Sequence, residues 1–279
     1  MKHLKKQTLI LLSIASLLLV GLAVFAHIHK KEEKLSYSNL NSKASLNEVR
    51  AILSKHLNEE SVDNFINLVT DYNDTVGSVG LSGSFAPFTK TDYDVEKISS
   101  LWTAKHGDFI GTNCRINTYT LLKGKIKIPQ VKSDTELLFQ DKDAIDKGKL
   151  FNAKDQANFD ILFSRVKTEA TQDVKVHAKH MEDYYKQFTF DDKARMLSVV
   201  VHDNLDGDYL FVGHVGVLVP TTDGYLFVEK LTFEEPYQAI KFASKKDCYK
   251  YLTTKYKDYT GPGLAKPFIM DNDKWVDMD

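Results

Sequence analysis

The stretch "YLFVGHVGVLVPTTDGYLFVEKLTF", Tyr209–Phe233, reads as two apolar runs around a turn. Both runs are rich in Val, Leu and Phe, and "TTDG" between them is a strong turn signal, so the pair forms an antiparallel hairpin. A third run, "ARMLSVVVHD" at 194–203, precedes it across a second turn, "NLDGD". Three successive antiparallel strands follow. A turn centred between Thr222 and Asp223 sets His214 opposite Leu231 and makes Glu229 its diagonal neighbour on the same face, within side-chain reach. A slip of one residue would bring Lys230 to that face instead. A turn centred on Asp206 pairs Ser198 with His214.

Helical patterns occupy the chain before this meander. Residues 45–57 carry a stripe of Leu46, Val49, Ile52, Leu53 and Leu57, with Ser45 and Glu48 spaced as a capping box. Residues 58–76 place Val62, Phe65, Ile66, Val69 and Tyr72 on one face. Residues 77–90 form a glycine- and serine-rich loop. Further helices are predicted over 92–106 and 113–124, the second opened by Asn113 and stopped by Gly124. Segments 133–148, 155–170 and 176–188 also look helical. A late helix, 244–259, and a final strand near 266–273 close the chain. Helices first and a meander after them is an α+β pattern.

The chain has 279 residues, 43% hydrophobic and 27% charged, with a formal charge of −1. That balance excludes the basic surface a nucleic-acid partner needs. The N-terminus is different. "MKHLKK" is basic, residues 8–26 are almost wholly apolar, and charge returns at residues 27–34. The 1–26 segment is a signal peptide or an uncleaved signal anchor, which places the main domain outside the cytoplasm, membrane-anchored or secreted. Residues 27–44 read as a linker and 45–279 as a single α+β domain.

Cys114 opens a predicted helix. Unpaired N–H groups and the helix dipole there favour thiolate over thiol, and the Cys114 N–H could face a developing oxyanion. A buried structural cysteine is the alternative, as is a disulfide with Cys248, the only other cysteine. A thiolate nucleophile needs a base, and the base an orienting partner. Of nine histidines, His177 and His180 lie on a polar, solvated-looking stretch, and most others sit in linkers or at helix ends. His202 and His214 remain. His214 stands in an otherwise apolar strand between Gly213 and Gly216, where a polar side chain needs a reason. Glu229 is the conditional third member, with Asp191, Asp203 and Asn204 as rivals. Asn113 could add an oxyanion donor, and Arg115 flanks the thiol. No cluster calls for a metal or an organic cofactor.

Cys at a helix start, then His on a later strand, then a polar residue on the next strand, resembles the papain-like cysteine hydrolases, closest in style to NlpC-type and CHAP-type cell-wall peptidases and amidases. Their Asp-Cys-Ser and His-Val-Gly motifs correspond to Asn113-Cys114-Arg115 and His214-Val215-Gly216, with Arg115 departing from the usual small residue. The resemblance implies a papain-like fold, its helical half packed on the sheet. It implies Cys114 as nucleophile, His214 as base and a cell-wall peptide or protein as substrate. "FIGTNCRINTY", "GHVGVLV" and "PFIMDND" further resemble an uncharacterised, DUF4300-like family of exported Gram-positive proteins.

Overall fold

A computed structural model describes residues 35–89 and 91–278. The apolar segment 8–26 lies outside them. Residues 36–279 form one compact unit. Among the described residues no helix is long and apolar enough to cross a membrane.

The strands are β1 Ser36–Ser38, β2 Ala86–Pro87, β3 Val166–Lys167, β4 Arg195–Asp203, β5 Tyr209–Pro220, β6 Tyr225–Lys230, β7 Tyr237–Phe242, β8 Phe268–Asp271 and β9 Lys274–Val276. The helices are α1 Lys43–Leu53, α2 Glu59–Val76, α3 Val95–His106, α4 Cys114–Leu122, α5 Phe139–Gly148, α6 Ala153–Leu162, α7 Val174–Tyr185 and α8 Lys245–Tyr256, with one 3-10 turn at Glu136–Leu138. The strands join one antiparallel sheet, ordered β2-β1-β7-β6-β5-β4-β8-β9, with β3 bridging β5. The protein is therefore α+β, helices first.

Strands β4 to β7 are buried on both faces, which is why their sequences run almost continuously apolar. One face presents Met196, Val200, Val212, Val215, Val217 and Val228 to a core that includes Phe65 and Val69 of α2 and Ile116 and Tyr119 of α4. The other presents Phe227, Ile240 and Phe242, and α8 covers it, with the Phe242 and Tyr251 rings 5.7 Å apart.

Two details of register position the site. The β5–β6 ladder runs from Val217↔Val228 to Pro220↔Tyr225, the register of a turn centred between Thr222 and Asp223. It stops there, so His214 and Leu231 do not pair, and the strands are free to part beyond it. The β4–β5 ladder follows a turn centred on Asp206 only as far as Val200↔Val212; the next pair is Val199↔His214, not Ser198↔His214. Gly213 is the extra residue of a β-bulge. One inserted residue reverses which face the following side chains take. His214, on the Glu229 face by the β5–β6 register, and Val212 thereby take opposite faces of the sheet. Gly213 has no room for a side chain, because an added Cβ would lie 2.6 Å from Val201 Cγ2. At Gly216 it would lie 2.4 Å from Phe227 Cζ and 2.7 Å from the Val228 carbonyl.

Several sequence expectations are corrected. The domain starts earlier than residue 45, because β1 is hydrogen-bonded to β7 and Ser42, not Ser45, caps α1. Much of the expected 27–44 linker thus belongs to the fold. The expected helix over 155–170 ends at Leu162, and β3 follows. The strands β1, β7 and β9 add to those the sequence pattern announces. His177 is buried rather than solvated, since Thr168 Oγ1 and the Thr171 carbonyl satisfy its two ring nitrogens at 2.7 and 2.8 Å. Both cysteines are free and buried, so no Cys114–Cys248 bridge exists.

Candidate functional site

The loop before α4 delivers Cys114 to the first position of a helix. Asn113 supplies the cap, its Oδ1 accepting from the Ile116 N–H at 3.0 Å. The earliest N–H groups of the helix, that of Cys114 included, have no partner within it, and the helix dipole adds partial positive charge there. His214 arrives from β5 just past the end of the β5–β6 ladder. The imidazole lies beside the thiol, close enough that each shifts the other's acidity. Cys114 is 5% exposed and His214 2% exposed.

The far side of the imidazole is occupied. His214 Nε2–H donates to Glu229 Oε2 at 2.5 Å, which leaves Nδ1 as the ring nitrogen for the thiol. Thiol, imidazole and carboxylate stand in sequence, the imidazole hydrogen-bonded to the carboxylate and adjacent to the thiol. Glu229, 2% exposed, is itself held from several elements. Its Oε1 accepts from Tyr251 Oη at 2.6 Å and from Gln238 Nε2 at 3.4 Å, and Lys255 Nζ lies 3.5 Å away. Lys255 also donates to Tyr251 Oη at 2.9 Å. The Tyr256 ring stacks on His214 with centroids 4.6 Å apart, and the half-exposed Tyr259 stacks on Tyr256 at 5.1 Å.

The charges follow from this packing. Burial alone would raise the Cys114 thiol, but the charge and hydrogen bond of His214, aided by Arg115, outweigh it and hold the thiol below its ordinary range. Burial would lower His214, but Cys114 and then Glu229 raise it above the ordinary imidazole value. Each shift moves its group toward the charged form, thiolate for Cys114 and imidazolium for His214. Burial would raise Glu229, yet Lys255, His214 and Tyr251 bring it down to about 2. Cys248, by contrast, is buried without a cationic partner, and burial pushes its thiol well up.

The structure brings together every residue singled out in the sequence for this site. Cys114, His214 and Glu229 form the line. Asn113 and Arg115 flank the thiol but are engaged elsewhere: Asn113 Nδ2 donates to Asp141 Oδ1 at 2.7 Å, and Arg115 pairs with the same carboxylate through Nη2 at 2.6 Å. The Asn113 amide is thus engaged at both ends, Oδ1 by the Ile116 N–H and one of the two Nδ2 hydrogens by Asp141. Of the rival third members, Asp191 accepts from the Lys193 and Ala194 N–H groups, and no contact joins it to His214. His202 pairs with Asp208 and accepts from the Ala265 N–H. Sequence reasoning missed Gln238, Lys255 and Asp141, and it gave Tyr251 and Tyr256 no place beside His214 and Glu229.

Among the described residues no group of His, Cys, Asp and Glu is arranged to hold a metal ion. The fold and site define an α+β protein with a buried, charge-polarised Cys–His–Glu line. The chain belongs to the family described as Domain of unknown function (DUF4300), whose model matches residues 36–276. No curated protein and no solved structure matches it.

Proposed function

We propose that this protein is an extracytoplasmic cysteine hydrolase of papain-like type that cleaves amide bonds, with cell-wall peptide as its substrate. The observation that carries the reading is Cys114 at a helix N-terminus beside His214, whose imidazole is hydrogen-bonded to the buried Glu229. In the first half-reaction the Cys114 thiolate attacks the carbonyl carbon, and the oxyanion that forms faces the free N–H groups of the helix start. The C–N bond then breaks. His214 gives its proton to the leaving amine, and a thioester remains on Cys114. In the second half a water loses a proton to the now neutral His214 and attacks the thioester; the carboxylic product departs, and thiolate and imidazolium are restored. Glu229 fixes the ring and stabilises its positive form throughout. The basic and apolar N-terminus supports placement outside the cytoplasm, where peptidoglycan stem peptides are the abundant amides.

A second reading, a binding module of the same fold without turnover, draws on the near-complete burial of thiol and ring. Digestion of purified peptidoglycan and its soluble stem peptides, followed by mass spectrometry in isotopically labelled water, separates the two. The hydrolase yields fragments carrying one labelled oxygen per new carboxyl. Retention of intact wall and peptides by a protein whose Cys114 is reduced and reactive would leave the binding module standing.

A further inference from the structure

We propose that Asp141 is a positioning residue for the Cys114–His214 pair, acting through Arg115 and Asn113; this rests on the hydrolase reading above. Asp141 lies on α5 and is 0% exposed. Its carboxylate accepts from both neighbours of the thiol-bearing residue. Asn113 Nδ2 reaches Oδ1 at 2.7 Å, Arg115 Nε reaches Oδ1 at 2.9 Å and Arg115 Nη2 reaches Oδ2 at 2.6 Å. The remaining guanidinium nitrogen, Nη1, donates to the Val212 carbonyl at 2.9 Å. Val212 immediately precedes the Gly213 bulge, across which His214 takes the opposite face of the sheet. One carboxylate and one guanidinium therefore tie the start of α4 to the strand segment carrying the base. That also gives Arg115 a task where a small residue was expected: its fork is saturated inside the protein, with two arms on Asp141 and one on β5.

A bidentate buried pair of this kind returns little net stability, because desolvation offsets most of the attraction. What it supplies is fixed geometry. Its charges also oppose each other at the thiol, Arg115 lowering and Asp141 raising it. Removing both together is close to neutral electrostatically, so a change in Cys114 reactivity then reports position. The other ionisable groups around the thiol are His214 on β5, Lys230 on β6 and Tyr256 on α8, and all three stay in place.

The test is the pH profile of iodoacetamide alkylation at Cys114, read by peptide mass spectrometry, which needs no substrate. The wild type is compared with the apolar double variant Arg115→Met/Asp141→Leu. It is also compared with Asn113→Ser, which keeps a capping side chain but drops the bond to Asp141. Circular dichroism melting identifies the folded variants. The double variant is expected to melt cooperatively, yet its inflection should move up toward the ordinary thiol range. Alkylation near pH 6 should fall about tenfold, as for a thiol whose acidity has weakened by the same factor. Asn113→Ser should move the same way by less. A folded double variant with the wild-type profile would overturn the inference. Should the double variant fail to fold, an unchanged profile in Asn113→Ser overturns it instead. A wild type without a lowered inflection would remove the hydrolase reading first, and this inference with it.

Discussion

Replacement of Cys114 by alanine is expected to cut wall-peptide cleavage at least about 10⁴-fold, the scale on which nucleophile removal acts in thiol and serine hydrolases. The expectation follows from geometry. His214 donates through Nε2 to Glu229, so its one remaining nitrogen serves Cys114 and no second thiol is in reach. Cys248 is buried, with its thiol held well above the ordinary range, and cannot substitute. The variant should remain folded, because the change deletes one sulfur atom from a packed site and introduces no polar group. Product counting by mass spectrometry, with a melting curve alongside, checks both halves. Retained cleavage by Cys114→Ala would remove the nucleophile from the account.

Replacement of Glu229 by alanine should carry the largest combined effect on activity and stability. The carboxylate is the shared acceptor for His214, Tyr251, Gln238 and Lys255. Without it a buried imidazolium loses its counter-charge, and the Tyr251 hydroxyl loses its strongest acceptor. Breaking one side of a buried charged network costs about 3–5 kcal/mol. Turnover should drop about 10²–10⁴-fold, as proton transfer loses its oriented, polarised base. The pH dependence has a definite sign. The folded carboxyl of Glu229 sits at about 2 against an unfolded value of 4.5. A depressed acid contributes stability that is fully present above the unfolded value and is lost as pH falls toward the folded one. Wild-type stability should therefore decline between pH 4.5 and about 2 through this group, by about 3 kcal/mol. The Glu229→Ala variant should lack that part of the decline. Urea midpoints across this range measure it. Matching acid limbs in the two proteins would show that Glu229 is not held in the folded state as described.

The parts of this arrangement that were legible in the sequence are those fixed by local chemistry. "TTDG" between two Val- and Phe-rich runs sets the β5–β6 register, and that register alone puts His214 and Glu229 on one face. Cys114 was legible because Asn113 caps a helix that the apolar run after it supports. The Gly213 bulge was not. A glycine in a strand signals tolerance, but the shift arises only when the two ladders flanking β5 meet, and local spacing carries no record of it. Asp141 was hidden for a related reason. It stands in "FQDKDAIDKG" among other acidic residues at helical spacing, and only the fold decides which one is buried against Arg115. Tyr251, Lys255 and Tyr256 looked like an ordinary helical surface and core stripe. Their contact with Glu229 and His214 depends on α8 packing on the face opposite α2 and α4. His177 was misread because one partner, Thr168, lies in a stretch that the periodicity assigned to a helix and the other, Thr171, just past it. Strand β7 was missed because "YQAIKF" holds two long polar residues that a buried strand would not suggest. Gln238 is there to reach Glu229.

Cys114 and His214 are expected to rest as thiolate and imidazolium, the direction in which each is shifted. For His214, raised in the fold, the stability gained is full below its unfolded value and fades as pH rises through the folded one; for Cys114, lowered in the fold, it is present above the unfolded thiol value and fades as pH falls through the folded one. Both shifts act toward the charged forms, the thiol down and the imidazole up. Iodoacetamide alkylation of the reduced, folded wild type, mapped residue by residue across pH, observes the thiol shift directly. The account predicts that Cys114 is labelled and Cys248 spared at about pH 6, with a Cys114 inflection below the ordinary thiol value of about 8.5. Equal protection of both cysteines at that pH, or a Cys114 inflection at the ordinary thiol value, would contradict it.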